Sequence, residues 1–266
     1  MRRGTIFWGA IIILLGVILL INNFVEIDVG RFIWPLFLIL LGLWILWGVF
    51  AAPRGFETEE ATIPLEGAGE ARVHIGHGAG RLRVSSGARS DELLSGSFGG
   101  GLEQKVKREG DVLDVKLNVR VSGASFAFPW MWWGPGRSLD WEVNLNEDIP
   151  LSLNLETGAS DTRVDLSDLR VTDLRLQTGA SSSEITLPAN AGHTKAVIRS
   201  GAASVKVRVP DGVAARIKAG GGMADIQVNK SRFPRVGGVY QSEDYATAEN
   251  KVDIDIETGV GSISVR

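Results

Sequence analysis

The sequence predicts an all-β domain of stacked strands joined to a membrane anchor. Two observations predict it: two long apolar segments near the N-terminus, and a short glycine-containing phrase that recurs beside strand-like runs. The phrase is Leu-Glu-Thr-Gly-Ala-Ser at 155–160 and Leu-Gln-Thr-Gly-Ala-Ser at 176–181. Repeat units of about 20 residues cannot bury their apolar face alone and must stack. We therefore predict a membrane-anchored all-β fold, with a two-helix transmembrane hairpin followed by a β-solenoid of stacked strands.

The two apolar segments predict the hairpin, over residues 1–52. Thr5–Ile21 and Phe32–Ala52 contain no charged residue. At about 1.5 Å per helical residue, each approaches the roughly 30 Å thickness of the hydrocarbon core. A cleaved signal peptide is the rival interpretation of the first segment, because Arg2 and Arg3 precede it. The absence of a small-x-small cleavage site and the immediate second segment favour helices at about 5–21 and 32–52.

Basic residues beside the two segments predict the orientation. Arg2 and Arg3 precede the first segment and Arg54 follows the second, whereas the loop 22–31 holds only Arg31. Because basic residues favour the cytoplasmic side, we expect both termini and the β-domain to be cytoplasmic. The charged, turn-rich residues 53–62 predict a short stalk before a β-domain at 63–266.

The glycines of the repeated phrase predict the period of the stack. The glycines at 158, 179, 201 and 220 are separated by 21, 22 and 19 residues. The next glycine, at 259, follows after 39 residues, which suggests two periods with one phrase lost. Alternating apolar residues on both sides of each phrase predict strands with one face inward. We expect each glycine to supply a positive φ at a tight corner. The predicted turn residues are Gly78, Gly158, Gly179, Gly201, Gly220 and Gly259.

An insertion at about 95–145 interrupts the repeats. Its alternating runs at 112–121 and 141–145 predict antiparallel ribbons that extend or cap the stack. Between these runs lies an aromatic loop that contains proline and glycine. Three roles fit it: a lid over the solenoid, contact with the lipid interface, or a protein-docking surface. Its candidate membrane or partner contacts are Phe126, Phe128, Trp130, Met131, Trp132 and Trp133.

The last alternating run predicts an exposed edge of the stack. Ser262–Val265 is followed only by Arg266, without a helix or charged cap. Unpaired strand edges are commonly covered. We expect the 95–145 ribbon or a second copy of the chain to cover this one, so a homo-oligomer is a candidate assembly.

No set of residues suggests a metal site or a nucleic-acid partner. The sequence has three histidines and no cysteine. His74 and His77 are three apart, which puts them on opposite faces of a strand, and His193 lies in a predicted turn. Gly220–Asp225 resembles a calcium-binding nonapeptide, but Met223 interrupts the pattern. A net charge of −3 and the lack of a basic stripe argue against nucleic acid.

The sequence also predicts no catalytic or cofactor-binding residue, and therefore no enzyme. Four aspartates gather in one repeat, but turns and the strand alternation favour their exposure to solvent. Serines follow three of the repeated glycines, without a histidine beside them or a nucleophile elbow. These residues are Asp161, Asp165, Asp168 and Asp173, and Ser160, Ser181 and Ser204.

Both halves of the chain resemble bacterial envelope proteins. The hairpin, with Gly9–Val17, Asn22-Asn23 and Phe32–Leu43, resembles the LiaI/LiaF-like transmembrane region. The stretch from Trp141 through Gly179-Ala180-Ser181 is similar to the toast-rack β-domain of LiaF-like and phage-shock-type membrane proteins, and to stacked-strand bacterial adhesins. The resemblance implies a multi-pass bacterial inner-membrane protein linked to envelope stress. LiaF-like relatives restrain a membrane sensor kinase.

Three functions follow as alternatives. The first is a non-enzymatic scaffold or regulator in the envelope-stress response, which acts by contact with the lipid bilayer, a sensor kinase or another envelope protein. The second is a surface-displayed, adhesin-like structural module. An enzyme on a β-helix scaffold is the remote third, because no convergent site supports it.

Overall fold

The computed structural model describes Pro35, Leu38, Ile39, Gly42, and residues 58–120 and 139–266. The first four are helical, and the described part of the chain holds no helix with the length and apolarity needed to cross a bilayer. Apart from these four positions, the predicted helices at about 5–21 and 32–52 lie outside the described residues. Residues 58–62 of the predicted stalk belong to the first strand, which begins at Thr58, and the rest of the predicted stalk lies outside the described residues.

Residues 58–120 and 139–266 form thirteen strands in one sheet, and all thirteen strands belong to the compact unit made of Arg54–Gly123 and Pro135–Arg266. Six of the strands are long, and the shorter ones lie at the two ends of the stack. The strands are β1 (Thr58–Pro64), β2 (Glu70–Ser86), β3 (Glu92–Gly99), β4 (Leu102–Glu109), β5 (Val112–Val119), β6 (Trp141–Leu145), β7 (Leu151–Asp165), β8 (Val171–Thr186), β9 (His193–Arg208), β10 (Ala214–Val228), β11 (Arg235–Val236), β12 (Val239–Gln241) and β13 (Lys251–Val265).

Six long strands form a parallel stack. In spatial order they are β2, β7, β8, β9, β13 and β10, and every neighbouring pair is parallel. The prediction of an all-β domain of stacked strands is confirmed.

Each long strand bends at its repeated phrase. In β7 the buried positions are 151, 153, 155 and 157, and then 160, 162 and 164, so the alternation changes phase at Gly158-Ala159. Residues 166–170 alone connect β7 to the parallel β8, although a straight strand needs a crossover of a dozen or more residues. The bend therefore brings the two strand ends together. We call the part before the glycine the first limb and the part after it the second limb; the core lies on their inner faces.

The repeated glycines lie in one column that crosses the stack. Thr157 pairs with Thr178 and Ala159 with Ala180, which puts Gly158 beside Gly179, and the same register continues through the other strands. A Cβ atom on Gly158 would lie 2.3 Å from the carbonyl oxygen of Gly78. The equivalent distance from Gly179 to the Gly158 oxygen is 3.0 Å. Glycine is required because the neighbouring backbone approaches too closely for a side chain.

Two predictions about the repeated glycines, their backbone conformation and the choice of Gly220, are wrong. The predicted turn glycines do not have positive φ, because they lie inside extended, continuous strands. The column member on β10 is Gly222 rather than Gly220, since Gly221 pairs with Thr258 and Met223 with Val260. A Cβ on Gly220 would meet nothing within 4 Å, whereas one on Gly222 would lie 3.0 Å from the Gly259 oxygen. In spatial order, the column is Gly78, Gly158, Gly179, Gly201, Gly259 and Gly222.

The C-terminal strand does not form the edge of the stack, contrary to the sequence-based expectation. β13 is inserted between β9 and β10, and β10 is the last long strand. The long interval before Gly259 contains the hairpin of β11 and β12 rather than a coil that lost its phrase. β12 covers β10 at Arg216 and Ile217, and no other strand of the described residues pairs on that side.

The charges on β13 complement those on its two neighbours. Asp253 is opposite Lys195 on β9 and Arg216 on β10, so direct contact of β9 with β10 would bring two cations together. Arg199 on β9 also reaches Asp255 on β13 at 3.1 Å. The acidic first limb of β13 thus separates and neutralises two basic limbs.

Two shorter parallel strands, each with antiparallel partners beyond it, end the stack at β2. The first limb of β2 pairs with β5 and the second limb with β6. β5 pairs with β4, and β6 continues through β3 to β1. The 95–145 insertion thus contributes β4, β5 and β6 to this end.

Replacing column glycines by alanine should destabilise the domain according to the local distance. We expect Gly158→Ala to lower the free energy of unfolding by roughly 1–3 kcal/mol, because its Cβ would overlap the Gly78 oxygen. Gly78→Ala is the matched control, since its Cβ would meet nothing within 4 Å; its effect should stay within about 0.5 kcal/mol. Urea unfolding of a 54–266 fragment measures both. Equal losses would show that close approach is not what requires glycine.

Candidate functional site

The histidines do not converge on a catalytic or metal site. Asn154 Nδ2 donates to His74 Nδ1 at 2.8 Å, and His193 Nε2 lies 2.8 Å from Asp253 Oδ2, while His77 is buried elsewhere. Within 58–120 and 139–266, no group of three or more histidine or carboxylate side chains could hold a metal ion.

Asp165 and the three serines of the repeats have local structural partners. Asp165 accepts hydrogen bonds from the backbone N–H and hydroxyl of Ser167, at 3.2 and 2.8 Å. Ser160 shares a hydrogen bond of 2.9 Å with Thr162 inside the bend, and Ser204 accepts one of 3.1 Å from Ser262. Among the described contacts, no repeat serine hydrogen-bonds a histidine. These side chains hold turns and neighbouring strands.

Three ends of the described chain lie close together at one corner of the sheet. β1 begins at Thr58, residues 58–120 end at Arg120, and the description resumes at Leu139. Thr58 pairs with Gly99, whose N–H donates to the carbonyl of Asp140 at 3.0 Å. The chain that precedes β1 and both ends of segment 121–138 are therefore attached within a few residues of one another.

An ion pair joins β1 to the first end of that segment. Glu59 Oε2 lies 3.3 Å from Arg120 Nη2 and accepts a hydrogen bond of 3.1 Å from the N–H of Leu102. Arg120 Nη2 also donates to the carbonyl of Leu102 at 2.7 Å. Exposed ion pairs contribute at most about 1 kcal/mol. These contacts fix the position of Arg120, where the chain leaves the sheet.

A buried histidine holds the second end. His77 is 2% exposed, and its Nε2 donates to the carbonyl of Leu139 at 2.7 Å. Gly80 leaves room for this carbonyl: its φ is +111°, and a Cβ would lie 2.8 Å from the Leu139 oxygen. Arg81 adds an ion pair of 2.5 Å with Asp140. Leu139 is therefore held by groups on β2.

Trp141 packs beneath this contact. It is 1% exposed, its ring centroid lies 5.4 Å from that of His77, and it contacts Phe98 edge-on at 5.0 Å. Trp141 Nε1 donates to the carbonyl of Gly99 at 3.1 Å. We call this cluster the loop anchor; it consists of Glu59, His77, Gly99–Leu102, Arg120 and Leu139–Trp141.

Burial keeps His77 neutral. It lowers the pKa of the imidazole, against the opposing effects of the hydrogen bond to Leu139 and the charge of Asp140. Within residues 58–120 and 139–266, neither His77 Nδ1 nor Thr157 Oγ1 has a hydrogen-bond partner although both atoms are buried, and the two residues are opposite in register. Protonation of Nδ1 would place a charge there without an acceptor from this part of the chain.

The aromatic residues predicted as membrane or partner contacts lie outside the described residues. Sequence analysis missed the loop anchor itself. A signal for His77 was present, because it continues the buried alternation of Ala71, Val73 and Ile75. Nothing in the sequence indicated that Glu59 and Arg120 would meet. The undescribed candidates are Phe126, Phe128, Trp130, Met131, Trp132 and Trp133.

Comparisons with known proteins agree with this architecture. Residues 52–208 match the family described as the N-terminal domain of toast_rack, DUF2154. The chain belongs to this toast-rack family. A crystal structure of a "putative cell adhesion protein" from Clostridium sporogenes ATCC 15579 is similar, with a TM-score of 0.69 and 22% identity over 79% of this chain and 98% of that one. At this identity the likeness concerns the fold. A search of the curated proteins found no match.

The loop anchor should make the stability of the toast-rack domain sensitive to mild acid. Because the folded-state pKa of His77 lies below 6.5, the unfolded chain binds more protons than the folded one below that pH. The free energy of unfolding should therefore fall as the pH drops from about 6.5 towards the lowered pKa. His77→Gln, which keeps a donor for Leu139, should remove this dependence, whereas His74→Gln should retain it. Urea unfolding of the 54–266 fragment between about pH 7 and pH 5 tests this; an unchanged slope in His77→Gln would contradict it.

Proposed function

We propose that the chain is a non-enzymatic scaffold of the bacterial inner membrane. A hairpin at 1–52 anchors it, both termini and the toast-rack domain are cytoplasmic, and it acts by contact with the bilayer and with a membrane protein partner in the envelope-stress response. The observation that carries the proposal is the loop anchor, where the chain from the predicted hairpin and both ends of the aromatic segment converge.

Lipid contact follows from this convergence. Chain that arrives at Thr58 from a membrane hairpin brings the corner of the sheet near the bilayer surface. Segment 121–138 starts and ends at the same corner, through Arg120 and Leu139. Tryptophan favours the interfacial region of a bilayer, because its ring is apolar and its N–H is polar. We propose that Trp130, Trp132 and Trp133 contact the lipid interface beside the anchor.

A protein partner is the second part of the proposal. The resemblance to LiaF-like proteins suggests a membrane sensor kinase, and toast-rack membership supports the β-domain part of that resemblance. The stack offers two long outer faces of charged and polar side chains, which suit reversible protein contacts better than a buried permanent interface. A second copy of the chain is an alternative partner.

An adhesion module is the second candidate function. The similar crystal structure of the "putative cell adhesion protein" favours it, since that fold is shared over 79% of this chain. This candidate puts the β-domain outside the cell. In intact cells, an impermeant thiol reagent would then label the variant Ser231→Cys, because Ser231 is exposed in a turn after β10.

The lipid contact predicts a specific loss of vesicle binding. We expect a 54–266 fragment to co-sediment with phosphatidylcholine vesicles, and the triple change of Trp130, Trp132 and Trp133 to serine to reduce the partition coefficient about tenfold or more, because three interfacial side chains are removed. Met223→Ser is the matched control. It removes an apolar side chain that is 76% exposed on β10, at the opposite end of the stack.

Two results would contradict the lipid contact. One is vesicle binding that is unchanged in the triple variant. The other is equal loss in the triple variant and in Met223→Ser, which would show general hydrophobic adsorption rather than contact through the aromatic segment.

A further inference from the structure

An open depression of about 490 Å³ lies at the ends of the second limbs of β8, β9 and β13, at a distance from the loop anchor along the stack. Its lining contains three guanidinium groups and two hydroxyl groups, together with one carboxylate. The residues that carry them are Arg208, Arg232, Arg266, Ser167, Thr186 and Asp211.

Two of the arginines are neighbours in register. Val207 pairs with Val265, so the residues that follow them, Arg208 and Arg266, are adjacent; the N–H of Val209 donates to the Arg266 carbonyl at 2.9 Å. Thr186 pairs with Arg208 on the other side. Like charges opposite each other on neighbouring strands are destabilising unless a counter-charge is close.

Another pair of adjacent arginines shows how this fold neutralises such a contact. Arg83 and Arg163 are opposite each other on β2 and β7. Glu142 pairs with Arg83, and Glu184 pairs with Arg163, so each arginine has an acid beside it. The pair at the depression has Thr186 on one side and Asn229, which donates to the Val265 carbonyl, on the other.

The third arginine is fixed over the depression. Arg232 Nη1 donates to the carbonyl of Val209 at 2.8 Å, and Nη2 donates to the carbonyl of Pro210 at 2.9 Å. These bonds use two of the five N–H groups of the guanidinium. A side chain held in this way loses little conformational entropy when it binds a ligand.

The nearby carboxylates do not balance the three cations. Asp211 is 3.7 Å from Arg232, and its side chain is fully exposed. Glu184 is 4.0 Å from Arg266 and is also opposite Lys206. Exposed ion pairs at such distances contribute little.

We propose that Arg208, Arg232 and Arg266 form a binding site for a phosphate group, with the hydroxyl of Thr186 as a further donor. Guanidinium groups match the oxygens of phosphate in geometry as well as in charge. The phosphate could belong to a free ion or to a lipid headgroup. This site is separate from the lipid contact proposed for the aromatic segment.

The test uses the full chain in neutral detergent micelles at constant ionic strength. Thermal unfolding of the β-domain is measured against increasing inorganic phosphate in place of chloride, and separately against phosphatidic acid in mixed micelles. We expect a saturable rise in Tm. The double variant Arg208→Gln/Arg266→Gln should weaken the apparent affinity about tenfold or more, because charge-assisted hydrogen bonds are lost.

The double variant Arg83→Gln/Arg163→Gln is the matched control and should bind like the unmodified chain. Without phosphate at low ionic strength, Arg208→Gln/Arg266→Gln should unfold at the same or a higher Tm, which also verifies its folding. A response to phosphate supports a free ion, and a response to phosphatidic acid alone supports a headgroup. No response to either ligand, or an equal response in both double variants, would overturn the proposal.

Discussion

The close approach of neighbouring backbones at the glycine column determines the rest of the structure. At this column each long strand bends, and the carbonyl of one glycine occupies the space that a side chain would need on the next, at distances of 2.3 to 3.0 Å. The bend turns one strand into two limbs whose inner faces share a core. It also brings the strand ends close enough for short connections. A side chain at Gly158, Gly179, Gly201, Gly259 or Gly222 would force the neighbouring backbone to shift.

The charge pattern agrees with the strand order, and shorter strands pair at both ends of the stack. The acidic limb of β13 fits between the basic limbs of β9 and β10, although the chain reaches β10 first. At the other end, the short parallel strands β5 and β6 pair with the two limbs of β2 and so cover its edge. The loop anchor lies at this covered end. Its buried His77 and Trp141 fix the point where the chain leaves the sheet towards the aromatic segment.

The sequence predicted the stacked strands because the apolar alternation and the repeated glycines are local signals. It did not predict the reason for the glycines, since a column of close backbone contacts depends on the register between strands. Gly222 was missed for the same reason: the Gly220-Gly221-Gly222 run offers three candidates, and only pairing with Gly259 selects one. The position of β13 was not predictable, because the apolar alternation carries no information on strand order. The loop anchor joins residues far apart in the chain, such as Glu59 and Arg120, and no local pattern indicates such a contact.

The central claim is that the column runs from Gly201 through Gly259 to Gly222, and disulfide formation tests it most directly because the chain contains no cysteine. Ala202 and Val260 are opposite in register beside the column, within the Cα separation that a disulfide allows. Met223 is one strand further, at about 10 Å from Ala202, which is too far. Cysteines at 202 and 260 should therefore oxidise to an intramolecular disulfide, and cysteines at 202 and 223 should not. A disulfide between 202 and 223 but not between 202 and 260 would contradict this strand order.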